Sequence, residues 1–201
     1  MIKSDDLSRR LIGAISRLHH ATSDYDLNPD VHLPDDRILR PAAVLIAVQR
    51  SKAGAQIILT QRASTLKHHA GQISFPGGKR DEQDTSLEET ALREADEEIG
   101  LRPENVQVLG RMPTHETVTG FTVTPILGLV RDTFDPKLDY KEVAEVFLTP
   151  LHHLTNPQQF SVQGRRWRGQ RRRYYTVPYG PYYIWGATAR ILRTLAEGMQ
   201  E

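Results

Sequence analysis

Between Gly77 and Leu101 the chain reads G-G-K-R-D-E-Q-D-T-S-L-E-E-T-A-L-R-E-A-D-E-E-I-G-L, a glycine pair followed by a dense run of carboxylates. Carboxylates at that density suit a hard divalent cation such as magnesium, which favours a few carboxylate oxygens together with water and phosphate oxygens. At about 100° per residue, Leu87, Ala91, Ala95 and Ile99 fall on one helix face, with Glu94, Glu97 and Glu98 along one border of it. The spacings Glu94–Glu97 and Glu94–Glu98 crowd like charges on one edge, at roughly 0.2–0.5 kcal/mol per pair in an isolated helix. A bound cation offsets that repulsion. The glycine pair lets backbone approach a ligand closely, and a free carbonyl there is a candidate further oxygen donor. Gly100 supplies a C-terminal stop. The carboxylates alone equally describe a solvated acidic face. The glycine turn ahead of them is what favours a metal site.

These residues need a scaffold, and the rest of the chain supplies one. Ala42–Val48 and Gln56–Thr60 are short β-rich runs around Lys52-Ala53-Gly54, the pattern of a hairpin inside a sheet. Val106–Leu109, Thr122–Val130 and Val143–Leu148 are further strand candidates, while Ser86–Ile99 and Gly186–Leu195 read as helices. Interspersed strands and helices predict an α/β fold, a mixed sheet with helices against its faces. Residues 4–20 predict an amphipathic helix after a Ser4 cap, and residues 21–39, with Pro29 and Pro34, an irregular connection. The expected organisation is a peripheral segment 1–35 packing on one domain, 36–201.

Bulk properties narrow the chemistry. With 201 residues, 38% hydrophobic and 25% charged, the chain can bury one core and still wall a cleft. It has no cysteine, so a metal must be held by oxygen or imidazole. A formal net charge of +1 leaves any attraction for anions to local clusters, and nucleic acid is not expected as a partner. Neither a secretory signal nor an eighteen-residue apolar run is present, so a cytoplasmic protein without a membrane partner is expected. Monomer and homodimer both remain open.

Phe75-Pro76-Gly77-Gly78 at one end and Arg93-Glu94-x-x-Glu97-Glu98-x-Gly100-Leu101 at the other resemble the box of the Nudix hydrolases, G-x5-E-x7-R-E-U-x-E-E-x-G-U with U bulky and apolar. The interval from Gly78 to Arg93 is one residue longer than that pattern, Asp84 or Thr85 stands where the early glutamate belongs, and Ala95 is small for its position. Upstream, Ile58-Leu59-Thr60-Gln61-Arg62-Ala63, Lys67, Gly71 and Phe75-Pro76-Gly77-Gly78 resemble the additional motif of the coenzyme A pyrophosphatase branch, with Lys67 in place of an arginine. Ile184-Trp185-Gly186-Ala187-Thr188-Ala189 also looks like that branch, and the likeness runs from about Asp36 to Leu195.

The resemblance implies a Nudix-type α/β/α sandwich, also classed as α+β, with a central mixed sheet and a loop-helix-loop. It implies Mg²⁺ or Mn²⁺ held by Glu94, Glu97 and Glu98, with the Gly78 carbonyl as a further ligand and Arg93 orienting the carboxylates. The general base is left open among Glu98, Glu142 and Glu145, with Glu97 also counted in the catalytic set. Arg62, Lys67, Gly71, Phe75 and Gly77 are the implied substrate contacts. The implied substrate is small and nucleotide-like: coenzyme A or a derivative, cleaved to 4′-phosphopantetheine and adenosine 3′,5′-bisphosphate. ADP-ribose, NADH or another nucleoside diphosphate derivative is the alternative, and an RNA-binding or cap-hydrolysing relative stands further off.

Three further features call for their own reading. Arg165–Arg173, R-R-W-R-G-Q-R-R-R, followed by Tyr174 and Tyr175, reads as a solvated hairpin tip, although its composition also suits single-stranded RNA. The pairs His19-His20, His68-His69 and His152-His153 put neighbouring rings on different faces, which predicts surface or loop positions rather than a metal site. Tyr183 and Trp185 are expected to be core aromatics.

Overall fold

A computed structural model of the protein describes residues 6–31, 33–34, 36–66, 69–167 and 170–200. The chain opens with helix α1 (Asp6–Ser16) and the short strand β1 (Thr22–Ser23), followed by β2 (Arg40–Ser51) and β3 (Gly54–Arg62). The short strands β4 (Ile73–Ser74) and β5 (Gly77–Lys79) then lead into helix α2 (Leu87–Ile99). Next come β6 (Val106–Arg111), β7 (His115–Glu116), β8 (Phe121–Val130), β9 (Val143–Pro150) and the single turn α3 (Leu151–Leu154). The chain continues as β10 (Ser161–Trp167), β11 (Gln170–Thr176) and helix α4 (Gly186–Met199). Among the described residues no helix is long and apolar enough to cross a membrane.

Strands β1 to β9 form one mixed sheet, in which β2 pairs parallel with β8 and antiparallel with β3 and β5, and β3 pairs with β9. The unbroken apolar run in β2 has a direct cause. Its alternate residues serve two cores: Ala43, Leu45 and Ala47 join one buried cluster, and Ala42, Ile46 and Val48 the other. A strand covered on both faces has no solvent side on which to place polar residues. The first cluster takes in Ala91, Ala95 and Ile99 of α2; the second takes in residues of α1 and α4. Helices on both faces make the layered architecture expected, and Ala95, fully buried, lets α2 lie close to the sheet.

The predicted strands and the two long helices are present with boundaries within a few residues. The first helix is shorter than its apolar pattern, ending at Ser16, and its expected Ser4 cap lies outside the described residues. The connection after it is less irregular than expected, because Thr22–Ser23 pairs parallel with His115–Glu116. Fully buried His115 ties the two together: its Nδ1 lies 2.9 Å from Thr22 Oγ1 and its Nε2 3.2 Å from Asp24 Oδ1. The arginine-rich segment is a hairpin, β10 against β11, in a two-stranded sheet of its own. Tyr183 corrects an expectation, since it is 46% exposed rather than core. The ring sits at the surface, its hydroxyl 3.4 Å from that of Tyr174.

Candidate active site

Helix α2 is positioned at both ends. Ser86, in extended conformation, accepts a hydrogen bond from Glu89 N, and Gly100 at φ 71° sends its N–H back to the last turn. The C-terminal carbonyls of Glu98 and Ile99 accept backbone hydrogen bonds from Asp139 and Lys137, which fastens the β8–β9 connection to the helix end. As a result Glu94, Glu97 and Glu98 share one cavity of about 340 Å³ with Asp139 and Glu142. Its charged lining consists entirely of carboxylates.

Within this cavity the three box glutamates differ. Glu98 is buried, with Oε2 accepting from Gly77 N at 3.2 Å, and burial pushes its pKa up to about 8. The Gly77 amide and Arg62 oppose that rise, while Glu94 and Glu142 add to it. Burial also raises Glu94, against the pull of Arg93. Glu97 is at the rim, its side chain 61% exposed. Among the described residues no three carboxylate or imidazole groups converge tightly on one point. The glutamates line a shared space rather than a closed cage.

Arg93 is the hub that places them. Its Nη1 donates to Glu94 Oε1 at 3.0 Å and to Glu97 Oε2 at 3.1 Å, and its Nη2 to the Lys79 carbonyl at 3.2 Å. Its other edge makes a two-pronged pair with Asp84, Nε to Oδ1 and Nη2 to Oδ2, both at 2.9 Å. Asp84 also accepts from Asp81 N and Thr90 Oγ1, each at 2.9 Å. Arg93's hydrogen bonds hold the buried Asp84 carboxyl well below the usual carboxylate range, and Asp84 raises the guanidinium in return. The ambiguity left by the longer turn therefore resolves on Asp84, because Thr85 is engaged locally with Glu89.

The glycine pair does two different jobs. At Gly77, φ 151°, an added Cβ would lie 2.4 Å from the Ala43 carbonyl; at Gly78 it would lie 2.4–2.6 Å from the Glu94 carboxylate. Backbone excludes a side chain at Gly77, whereas one at Gly78 would push the Glu94 carboxylate from its place. The choice of carbonyl is corrected by the ladder between β5 and β2. Leu45 N donates to Pro76 O and Arg80 N to Pro41 O, so the alternation of antiparallel pairing makes Gly78 and Ala43 a bonded pair. Gly78's carbonyl is thus turned toward β2. Gly77 has its N–H on the Glu98 side, and its carbonyl is the one facing away from the ladder.

The structure separates the other predicted residues. Arg62 ends β3; its charge is felt at Glu98, and its Nε is buried without a hydrogen-bond partner. Gly71, at φ 70°, closes the following loop by donating to the Arg62 carbonyl at 3.1 Å. Lys67 and His68 lie outside the described residues. Phe75 is a correction: only 3% exposed, it packs in the α1/α4-side core and fixes the loop instead of offering its ring to a ligand. Glu142 is on the cavity wall, whereas Glu145 accepts a 2.6 Å hydrogen bond from the Tyr182 hydroxyl, whose ring stacks on Phe147 at 3.6 Å. Asp139 went unnoticed in the sequence, where nothing marks it.

The NUDIX domain family profile matches residues 39–168, more than half of the chain. A protein of Citrobacter koseri described as an uncharacterized Nudix hydrolase, NudL, is 43% identical over 157 residues, covering 78% of this chain and 81% of that protein. The chain belongs to the Nudix hydrolase family. A NudL protein of Enterobacter sp. strain 638, also described as uncharacterized, is 39% identical over 184 residues, covering 86% of this chain and 95% of its own length. The solved Nudix hydrolase RenU of M. smegmatis aligns with a TM-score of 0.49 at 21% identity, covering 60% of this chain and 82% of that one.

Nudix hydrolases generally work with a divalent metal ion, and the residues present fit one. The donors are hard oxygens, Glu94 and Glu98 are carboxylates whose burial is only partly offset by Arg93 and Arg62, and the space beside Gly78 that a Cβ would fill is taken by the Glu94 carboxylate.

Proposed function

We propose that this Nudix hydrolase cleaves the diphosphate linkage of coenzyme A or its derivatives, giving 4′-phosphopantetheine and adenosine 3′,5′-bisphosphate. The observation that carries the reading is the pairing of opposites at the end of β3. Arg62, whose Nε has no internal partner, is near enough to the carboxylate cavity for its charge to act on Glu98, and its neighbour Ala63 donates a backbone hydrogen bond to the Glu142 carbonyl. A substrate with a diphosphate and a separate 3′-phosphate calls for cations in addition to a metal.

Glu94 and Glu98 would hold Mg²⁺ or Mn²⁺, with Glu97 and the Gly77 carbonyl as further donors. When bound, such an ion supplies charge neutralisation at the diphosphate and acidifies water. Arg93 keeps Glu94 and Glu97 pointed at the cavity and is itself immobilised by Asp84. Glu142 takes the proton of the attacking water; its place on the cavity wall favours it over Glu145, which is held by Tyr182. Arg62 binds a phosphate oxygen and screens Glu98.

A panel of coenzyme A, dephospho-coenzyme A, ADP-ribose, NADH and capped RNA, each with Mg²⁺ and Mn²⁺ and read by product mass, tests the reading. Coenzyme A is expected to have the highest kcat/KM, and Arg62→Ala to erase its advantage over the dephospho form. A higher kcat/KM for ADP-ribose or NADH would overturn the substrate assignment.

A further inference from the structure

The β10–β11 hairpin takes no part in the site above, yet its composition is extreme. Its register sets Arg165 directly opposite Arg172, and Arg166 directly opposite Arg171, with Arg173 opposite Gly164. Side chains alternate across a strand, so each face of this two-stranded sheet carries one opposed arginine pair. Like charges placed directly across a ladder destabilise it. Arg165, Arg166, Arg171 and Arg173 are exposed, and among the described residues none of these four makes an ion pair with a carboxylate. The chain as a whole is close to neutral, so this positive charge is a local concentration.

Aromatic rings are interleaved with it. Tyr174 meets Trp185 edge to face at 5.1 Å, the Arg165 guanidinium lies 5.3 Å above the Trp185 ring, and the 46%-exposed Tyr183 reaches Tyr174 through its hydroxyl. The root of the hairpin is rigid. Asn28, only 9% exposed, exchanges two hydrogen bonds with the Arg173 backbone at 2.8 and 2.9 Å, and Thr176 Oγ1 and Val177 N both donate to Ile184 O. Cations on a firmly based ribbon, with exposed Tyr183 and the half-buried rings of Tyr174 and Trp185 beside them, are what an unpaired nucleotide strand requires: phosphate contacts, plus stacking that a duplex cannot offer.

We infer that the β10–β11 hairpin is a docking surface for single-stranded nucleic acid. The inference is independent of which diphosphate the cavity cleaves. One small phosphorylated substrate engages a cation or two; an array spanning both faces of a ribbon matches a chain of phosphates. An anionic membrane would use the same charge without needing the rings.

The test uses the full chain and fluorescence anisotropy with a labelled twenty-nucleotide RNA and the corresponding DNA strand, across a salt series. Unlabelled duplex, inorganic polyphosphate and phosphatidylserine vesicles serve as competitors. Four phosphate contacts predict a log–log salt slope near about −3 for a single strand. Arg166→Gln with Arg171→Gln should weaken binding about tenfold or more and flatten that slope by about 1.4, while the double Lys replacement retains the slope. Tyr183→Ala should weaken the strands about fivefold or more and leave polyphosphate unaffected. Unchanged melting and unchanged hydrolysis of a small diphosphate substrate in the Gln double variant would separate docking from folding and catalysis. Three results would overturn the inference: no strand binding at low salt, competition by polyphosphate or vesicles equal to that of the unlabelled strand, or loss of small-substrate turnover in the Gln variant.

Discussion

Helix α2 and the β10–β11 hairpin both stack like charges, and the protein treats them in opposite ways. Along α2 the carboxylates are partly buried around an internal cation: Arg93 bridges Asp84, Glu94 and Glu97, while Glu98 is left with a backbone amide. On the hairpin Arg165, Arg166, Arg171 and Arg173 stand in solvent, where water and salt screen them. Charge density alone therefore says little. Burial ties the protonation of the first cluster to whatever cation it would hold, and exposure leaves the second a surface that anything anionic can meet.

The sharpest way to break this contrast is at the buried end. Glu98→Gln should lower kcat by about a thousandfold or more in saturating Mg²⁺ while far-ultraviolet circular dichroism stays native, because on the proposed metal site glutamine keeps the shape of Glu98 and removes the charge a cation needs. Retained turnover would show that the burial of Glu98 serves packing alone.

Arg93→Ala probes the hub. It strands Asp84, buried and ionised, without its partner, and the loss expected for breaking a buried pair is about 3–5 kcal/mol in urea unfolding. A loss below about 1 kcal/mol would mean that Asp84 is satisfied by Thr90 and the Asp81 amide without it.

The third test is pH. Glu98 titrates near 8 when folded and near the ordinary carboxylate value when unfolded, so between those values the folded state holds the extra proton. Stability of the metal-free protein should accordingly fall as pH rises from about 5 to 8, by a few kcal/mol at most. Mg²⁺ should reverse the trend at the upper end, since binding displaces that proton. Glu98→Gln should flatten the metal-free profile, and an unaltered slope in that variant would assign the effect elsewhere.

The smallest effect belongs to the hairpin. Arg166→Gln with Arg171→Gln removes one opposed pair and should leave stability unchanged or raise it by up to about 0.5 kcal/mol. A drop of more than about 1 kcal/mol would mean that these side chains pack or pair, and the contrast with α2 would fail.

What could be read from the sequence follows from range. The helix, its stop at Gly100 and the border occupied by Glu94, Glu97 and Glu98 depend on local spacing alone, so periodicity exposes them. Asp84 was legible as a candidate because it lies nine residues from the arginine it serves. Asp139 was not, because a loop after β8 becomes part of the cavity only when its backbone bonds the end of α2. Asn28 and His115 were invisible for the same reason, each joining segments about ninety or more residues apart. Phe75 and Tyr183 exchanged their expected places because an aromatic's burial depends on which layer its strand or loop meets. The Gly77 carbonyl could be chosen over that of Gly78 only once the pairing register with β2 was known.

Asn28 has one more consequence. A two-stranded ribbon leaves raw edges, and an open edge is where a second molecule can add a strand and start an aggregate. The Asn28 amide fills that position at Arg173 as a surrogate neighbour, and Ile184 and Trp185 do so at Val177 and Thr176. Among the described residues β10 pairs with β11 alone, so its outer edge is open, and an incoming copy there would bring its own positive charges against Arg165 and Arg166. Self-templating growth is thereby opposed by a stand-in amide on the β11 side and by mutual repulsion along the β10 side.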